Sequence, residues 1–197
     1  VISRPEDRYE MRDIYQLYAK HHPTFTADDI YNLSKELDTV IYFEALSEVS
    51  VRVSHDLFIS KEMISFDTDV VDRAINSFLS KDYIRIREID SFLVFPNVGY
   101  EWNEYLLESF LLSYSKKFAL VNNGLSLNNV AGFVVKEDGQ IKEFVDACAA
   151  FLADGRIELK KVDALNYLAD MNIISRRSYK DIDLALRRAA QIRRRKE

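Results

Sequence analysis

The residues of this chain that could do chemistry are three histidines, one cysteine and several close groups of carboxylates. His55-Asp56 has the composition of a general base beside the acid that orients it. No Ser or Cys nucleophile is marked nearby, and helix neighbours point their side chains apart, so the pair reads as structural. His21-His22 are adjacent rather than four apart, as helical metal ligands are, and read as a solvated helix end where positive character is favoured. Cys148 lies on an apolar helical stripe among Ala147, Ala149 and Ala150, the setting of a buried, unreactive thiol.

Asp67, Asp69 and Asp72 could offer oxygens to a divalent cation, but the spaced D-x-D-x-D-G loop and closing Glu of a calcium site are missing. Acids at a helix start are stabilised by its dipole without any ion, which is the reading taken. Glu101, Glu104 and Glu108 recur at i, i+3 and i+7, yet no His stands at a matching i+3 position, as carboxylate metal sites require. The chain has no G-x-x-x-x-G-K-[ST], no G-x-G-x-x-G and no H-E-x-x-H. Its 5 glycines are too dispersed for a phosphate-wrapping loop. The expectation is a protein that is not an enzyme and holds no cofactor or metal.

With 48% apolar and 30% charged residues the composition is globular, and only 5 glycines and 3 prolines favour helices over a many-stranded sheet. The single cysteine excludes an internal disulfide framework and points to a reducing, cytoplasmic setting. The first residues lack the basic-then-apolar order of a secretory signal, and the Val start reads as a chain trimmed or cut from something longer. The most apolar stretch, residues 100–121, contains Glu101, Glu104, Glu108, Lys116 and Lys117, too many charges for a membrane span.

Charge is unevenly placed. Residues 176–197 hold nine cations (Arg176, Arg177, Lys180, Arg187, Arg188, Arg193, Arg194, Arg195, Lys196) against Asp181, Asp183 and Glu197, or +6. Since the whole chain carries −5, the first 175 residues carry −11. Such a tail suits an acidic partner, nucleic acid or protein.

The elements follow from periodicity. Ser3 and Glu6 form a capping box for a helix running to about Lys20, and His22-Pro23 ends it. Thr26 caps a second helix carrying Ile30, Leu33 and Leu37, and a third is expected over residues 40–58. Asp67 caps a helix with Val70, Val71, Ala74, Ile75 and Phe78 inward. Ile84 and Ile86 alternating with Arg85 and Arg87 predict a strand, hairpinned through Asp90-Ser91 to a second at residues 92–95. Beyond Asn97-Val98-Gly99, helices are expected over residues 100–121, 140–153, 161–171 and from Ser178 onward, with a short element at 128–135. No internal repeat is visible.

Helices followed by a hairpin make the stretch 5–96 resemble the winged-helix arrangement in element order. That resemblance implies a winged-helix-like domain over residues 1–97, and the helices beyond it read as an all-α domain over 98–197 ending in a basic helix. The fold class expected is mainly α. Winged helices serve DNA and protein partners alike, so the resemblance leaves function open.

Charge separates the two functional expectations. The outer face of the helix after Asp67, with Asp69, Asp72, Arg73 and Asn76, is nearly neutral, whereas a groove-reading helix brings surplus Arg or Lys. These four residues are therefore expected to dock a protein partner or a second copy, as an adaptor in a larger assembly. The alternative is phosphate binding by Arg85 and Arg87 on the hairpin with Arg176, Arg177, Lys180, Arg187, Arg188, Arg193, Arg194 and Arg195 of the tail.

Overall fold

Thr26 and Asp29 cap each other reciprocally. The Thr26 hydroxyl accepts from the Asp29 N–H (3.2 Å), and the Asp29 carboxylate accepts from the Thr26 N–H (2.7 Å). In the computed structural model, which describes residues 9–174 and 176–196, this box opens α2 (Ala27–Glu36). Before it come α1 (Met11–His21) and the short strand β1 (Thr24–Thr26). The box read at Ser3 and Glu6 lies outside the described residues.

The single helix expected over residues 40–58 is instead α3 (Phe43–Val49), β2 (Ser50–Arg52) and β3 (Leu57–Ser60). The β-branched Val49, Val51 and Val53 decide this, because their stiff side chains pack better on a pleated surface. β1 and β2 both pair antiparallel with β3, with Phe25 opposite Phe58 and Val51 opposite Ile59. One face of this sheet and the helices close over Tyr15, Phe25, Ile30, Phe43, Leu46 and Phe58.

A second unit begins at α4 (Thr68–Asn76), where the Asp67 carboxylate accepts from the Val70 N–H (3.1 Å). There follow β4 (Tyr83–Arg85), a 3-10 turn (Ile86–Glu88), α5 (Glu104–Ser113), β5 (Phe118–Val121) and β6 (Phe133–Lys136). Two expectations are corrected. Residues 92–95 form a turn rather than a strand, with the Phe95 N–H donating to the Phe92 carbonyl (3.1 Å). The Phe95 ring packs against Phe78 and Trp102 and the Phe92 ring against Phe95, while Leu93 is 94% exposed. β4 therefore pairs with β6, Ile84 opposite Val134, and the local hairpin is absent. The helix over 100–121 is also shorter, since the Asn103 side chain accepts from the Tyr105 and Leu106 N–H groups and fixes its start.

The two units share one connectivity that no sequence repeat announces. Each runs helix, strand, helical turn or helix, helix, strand, strand, and each sheet has its first strand beside its third and its third beside its second. β4, before Asn97–Gly99, pairs with β6, after it.

Three further helices follow, α6 (Phe144–Asp154), α7 (Lys161–Asp170) and α8 (Ile182–Lys196), with Ala147, Cys148, Leu152, Ala164, Leu168, Ala185 and Ala189 between them. β6 serves both neighbours: Val134 enters the core under α4 and α5, while Phe133 and Val135 enter the core under α6 and α8. Helical residues make up 48% of the described chain, a mainly α protein with two small antiparallel sheets. Among the described residues no helix is long and apolar enough to cross a membrane.

Asp72 locks α4 to the end of α5. It is 0% exposed and accepts from the Ser115 hydroxyl (2.7 Å) and the Lys116 N–H (3.2 Å). Asp72→Ala leaves both donors without an acceptor and is expected to cost about 1–3 kcal/mol. Urea titration checks this, as a lower midpoint with an unchanged slope.

Candidate functional site

Three of the buried polar residues, Arg52, Glu108 and Ser109, lie where the first unit meets the second. Arg52, at the end of β2, is 2% exposed, and its guanidinium donates to main-chain carbonyls rather than to a carboxylate. The acceptors are Ser54 (3.2 Å), His55 (2.5 Å), Ser126 (3.3 Å) and Leu127. The Tyr105 ring lies 4.1 Å from the guanidinium carbon. Beside it the Ser109 hydroxyl accepts from the Arg52 N–H (2.9 Å), pinning α5 to β2. Glu108, on the same turn of α5, is 2% exposed, and its Oε2 has no hydrogen-bond partner among the described residues. Burial pushes its carboxyl up to about 8 against the opposing pull of Arg52. Sequence reading missed this junction; an arginine set between two valines in a strand was its one available signal.

The arginines sort into two groups. Arg85 donates to the Met171 carbonyl (3.2 Å) and pairs with Glu88 (2.8 Å), and Arg87 donates to Val130 (3.1 Å) and Asn129 (2.7 Å). Arg188 pairs with Asp146, and Arg177 lies 3.5 Å from Asp170. Arg193 donates to the carbonyls of Leu152 (2.8 Å), Ala153 (3.2 Å), Gly155 (2.6 Å) and Ile157 (3.0 Å), capping the C-terminus of α6. Five of the ten expected phosphate ligands are thus engaged within the chain. The other five, Arg176, Lys180, Arg187, Arg194 and Arg195, are exposed with no side-chain partner among the described residues.

Of the residues expected to dock a protein, Asp69, Arg73 and Asn76 are exposed on α4, and Asp72 faces inward. Asp67 caps α4, Glu104 lies 4.0 Å from Arg87 and Glu108 is buried, so neither acidic group converges. No three His, Cys, Asp or Glu among the described residues are placed to hold a metal ion. His55 Nδ1 does contact Asp56 (2.5 Å), in the turn between β2 and β3, and its ring faces Tyr105 edge-on. Cys148 is buried, and burial raises its thiol pKa.

An open cleft of about 570 Å³ runs between β4, α6 and α8. Its centre is already satisfied: Asp154 accepts from Lys81 (2.5 Å), Lys196 (2.6 Å) and the Tyr83 hydroxyl (2.9 Å). Burial alone would raise this carboxyl, but the three donors hold it down at about 2. In the first unit, α2 exposes Tyr31, and the segment joining α2 to α3 exposes Leu37, Val40 and Tyr42. Val40 and Tyr42 line a shallow groove with Ser34, Lys35, Asp38 and Thr39. Glu36, Asp38 and Glu44 are exposed along the same stretch of chain, and Lys35 is folded over the Tyr31 ring at 4.4 Å.

Comparison with known proteins gives no match to a family model, a curated protein or a solved structure.

Glu108 makes stability depend on pH. Between 4.5, its ordinary value, and about 8, the folded chain holds a proton that the unfolded chain has lost. Stability therefore falls with rising pH through that window, by about 1.4 kcal/mol per unit. Glu108→Gln is expected to flatten the decline, read from urea midpoints at pH 5, 6.5 and 8. Arg193→Ala uncovers the α6 terminus and is expected to cost about 2–3 kcal/mol. Arg194→Ala should change stability by under about 0.5 kcal/mol, and parallel thermal melts separate the two.

Proposed function

We propose that this chain is a non-enzymatic interaction module built from two winged-helix units in series, docking a protein partner through the α2–α3 face of the first. The connectivity common to both units supports the winged-helix reading. We read that likeness in residues 11–60 and 68–136 rather than over residues 5–96. The observation that carries the functional reading concerns the helices α3 and α5, each of which precedes the last two strands of its unit.

In a groove-reading protein such a helix is exposed and rich in Arg and Lys. Here α3 contains Glu44 and Glu48 and no cation. α5 has neither Lys nor Arg and is buried from Leu106 to Leu111. Neither can meet a phosphate backbone. What α2 and the segment leading into α3 do offer is exposed Tyr31, Leu37, Val40 and Tyr42, close in sequence to the exposed carboxylates Glu36, Asp38 and Glu44. An aromatic centre with a polar rim is the anatomy of a protein interface, and the charge of these carboxylates calls for a partner carrying Lys or Arg around an apolar patch.

The full chain used as bait in a lysate of the organism that encodes it is expected to retain one protein with such a surface. Val40→Glu with Tyr42→Glu should abolish capture without lowering the melting temperature, because both side chains are already exposed. Capture that survives this double substitution, or none at all, would sink the reading. Light scattering showing a dimer that the same substitutions dissolve would replace it with self-association.

A further inference from the structure

The exposed side of α8 is a second, chemically opposite surface. Ile182, Ala185 and Ala189 bury the inner side of the helix against α6, leaving Asp183, Arg187, Gln191 and Arg194 on the outside at successive turns. Arg195 follows Arg194 on the same helix, and Arg176 and Lys180 are exposed in the segment between α7 and α8. The acids that could neutralise these cations are mostly occupied. Asp146 pairs with Arg188, Asp154 with Lys81 and Lys196, Asp170 with Arg177, and Asp183 with Lys161 (2.9 Å). Within residues 176–196, Asp181 is the acid left unpaired, so the face keeps about four uncompensated positive charges.

We propose that this face binds double-stranded DNA, with Arg187, Gln191 and Arg194 along one side of the duplex and Arg176, Lys180 and Arg195 on its phosphates. The site is independent of the protein-docking face on α2 and α3. Four features select this occupant. Arg187 and Arg194 are seven residues apart, about 10 Å along a helix axis, and a B-form major groove about 12 Å wide admits a helix of this kind. Arg and Gln are also the side chains that read guanine and adenine edges bidentately.

The face presents no exposed aromatic side chain, whereas single-strand binding relies on aromatic stacking. The apolar side of α8 is buried against α6, which removes what a helix lying in a membrane surface would insert. The net charge of −5 does not oppose this, because at 0.15 M salt charges are screened beyond about 8 Å and the local patch dominates.

Fluorescence anisotropy of the full chain with a labelled 20-base-pair DNA duplex, from 50 to 300 mM salt, tests the proposal. Arg187→Ala/Arg194→Ala/Arg195→Ala is compared with the wild type, leaving the α6-capping Arg193 in place. The expected results are duplex binding that weakens steeply with salt and, in the triple variant, a log–log slope shallower by up to about 2.7. Affinity at 0.1 M salt should then fall by up to about 500-fold. Lys180→Ala, in the turn outside the helix, should flatten the slope by about 0.9 with an unchanged melting temperature, which guards against misfolding of the triple variant. Undetectable duplex binding at 50 mM salt, or binding indifferent to both variants, overturns the proposal. So does tighter binding to single-stranded DNA, to an RNA duplex or to phosphatidylserine vesicles.

Discussion

The fold depends on one four-residue strand being wanted on both of its faces. In β6, Val134 fills the core beneath α4 and α5, and Phe133 and Val135 fill the core beneath α6 and α8. The two-residue period of a strand makes this double service inevitable once helices lie on both sides of the sheet. The chain enters the strand through Gly132 at φ +118, where an added Cβ would lie 2.5 Å from the Val121 carbonyl oxygen. α5 has the same role between the first two units, sending Leu106 toward the first sheet and Leu107 and Phe110 toward the second core. The molecule is therefore a series of units joined by shared walls rather than by linkers.

Charge in this protein is mostly structural. Arg52 and Arg193 each spend a guanidinium on main-chain carbonyls, using the planar fork of donors that lysine lacks. Both gather carbonyls that would otherwise have no donor, at the β2–β3 turn and at the end of α6. The cations of α8 divide by position rather than by type. Arg188, Arg193 and Lys196 hold the fold together through Asp146, the carbonyls at the end of α6 and Asp154, whereas Arg187, Arg194 and Arg195 have no side-chain partner among the described residues.

Much of the helical framework was legible in the sequence. Thr26 and Asp67 cap the helices they were expected to cap, and the stripes of residues 140–153 and 161–171 form α6 and α7. The sheets were not legible, because strands of three or four residues are shorter than the window that reveals alternation. Ile84 and Ile86 did signal a strand at β4, but its partner lay far along the chain and Phe92–Phe95 offered a nearer false one. The surfaces were harder still. Nothing in the string distinguishes Arg193 from Arg194, since the distinction is about one hundred degrees of rotation around a helix. Asp72 reads in the string as a solvent-facing residue, because the groups that donate to it, Ser115 and Lys116, lie more than forty residues ahead.

The pairing of β4 with β6 also sets a timetable. Ile84 meets Val134, fifty residues later, so on a ribosome adding about 5–20 residues per second β4 waits roughly 3–10 s for its partner to be made. During that interval the first unit can close, while α4, β4 and α5 still lack the wall they are to lean on. A nascent chain of this protein thus passes through a period with an unpaired strand edge and an open apolar core, when a chaperone has most to shield.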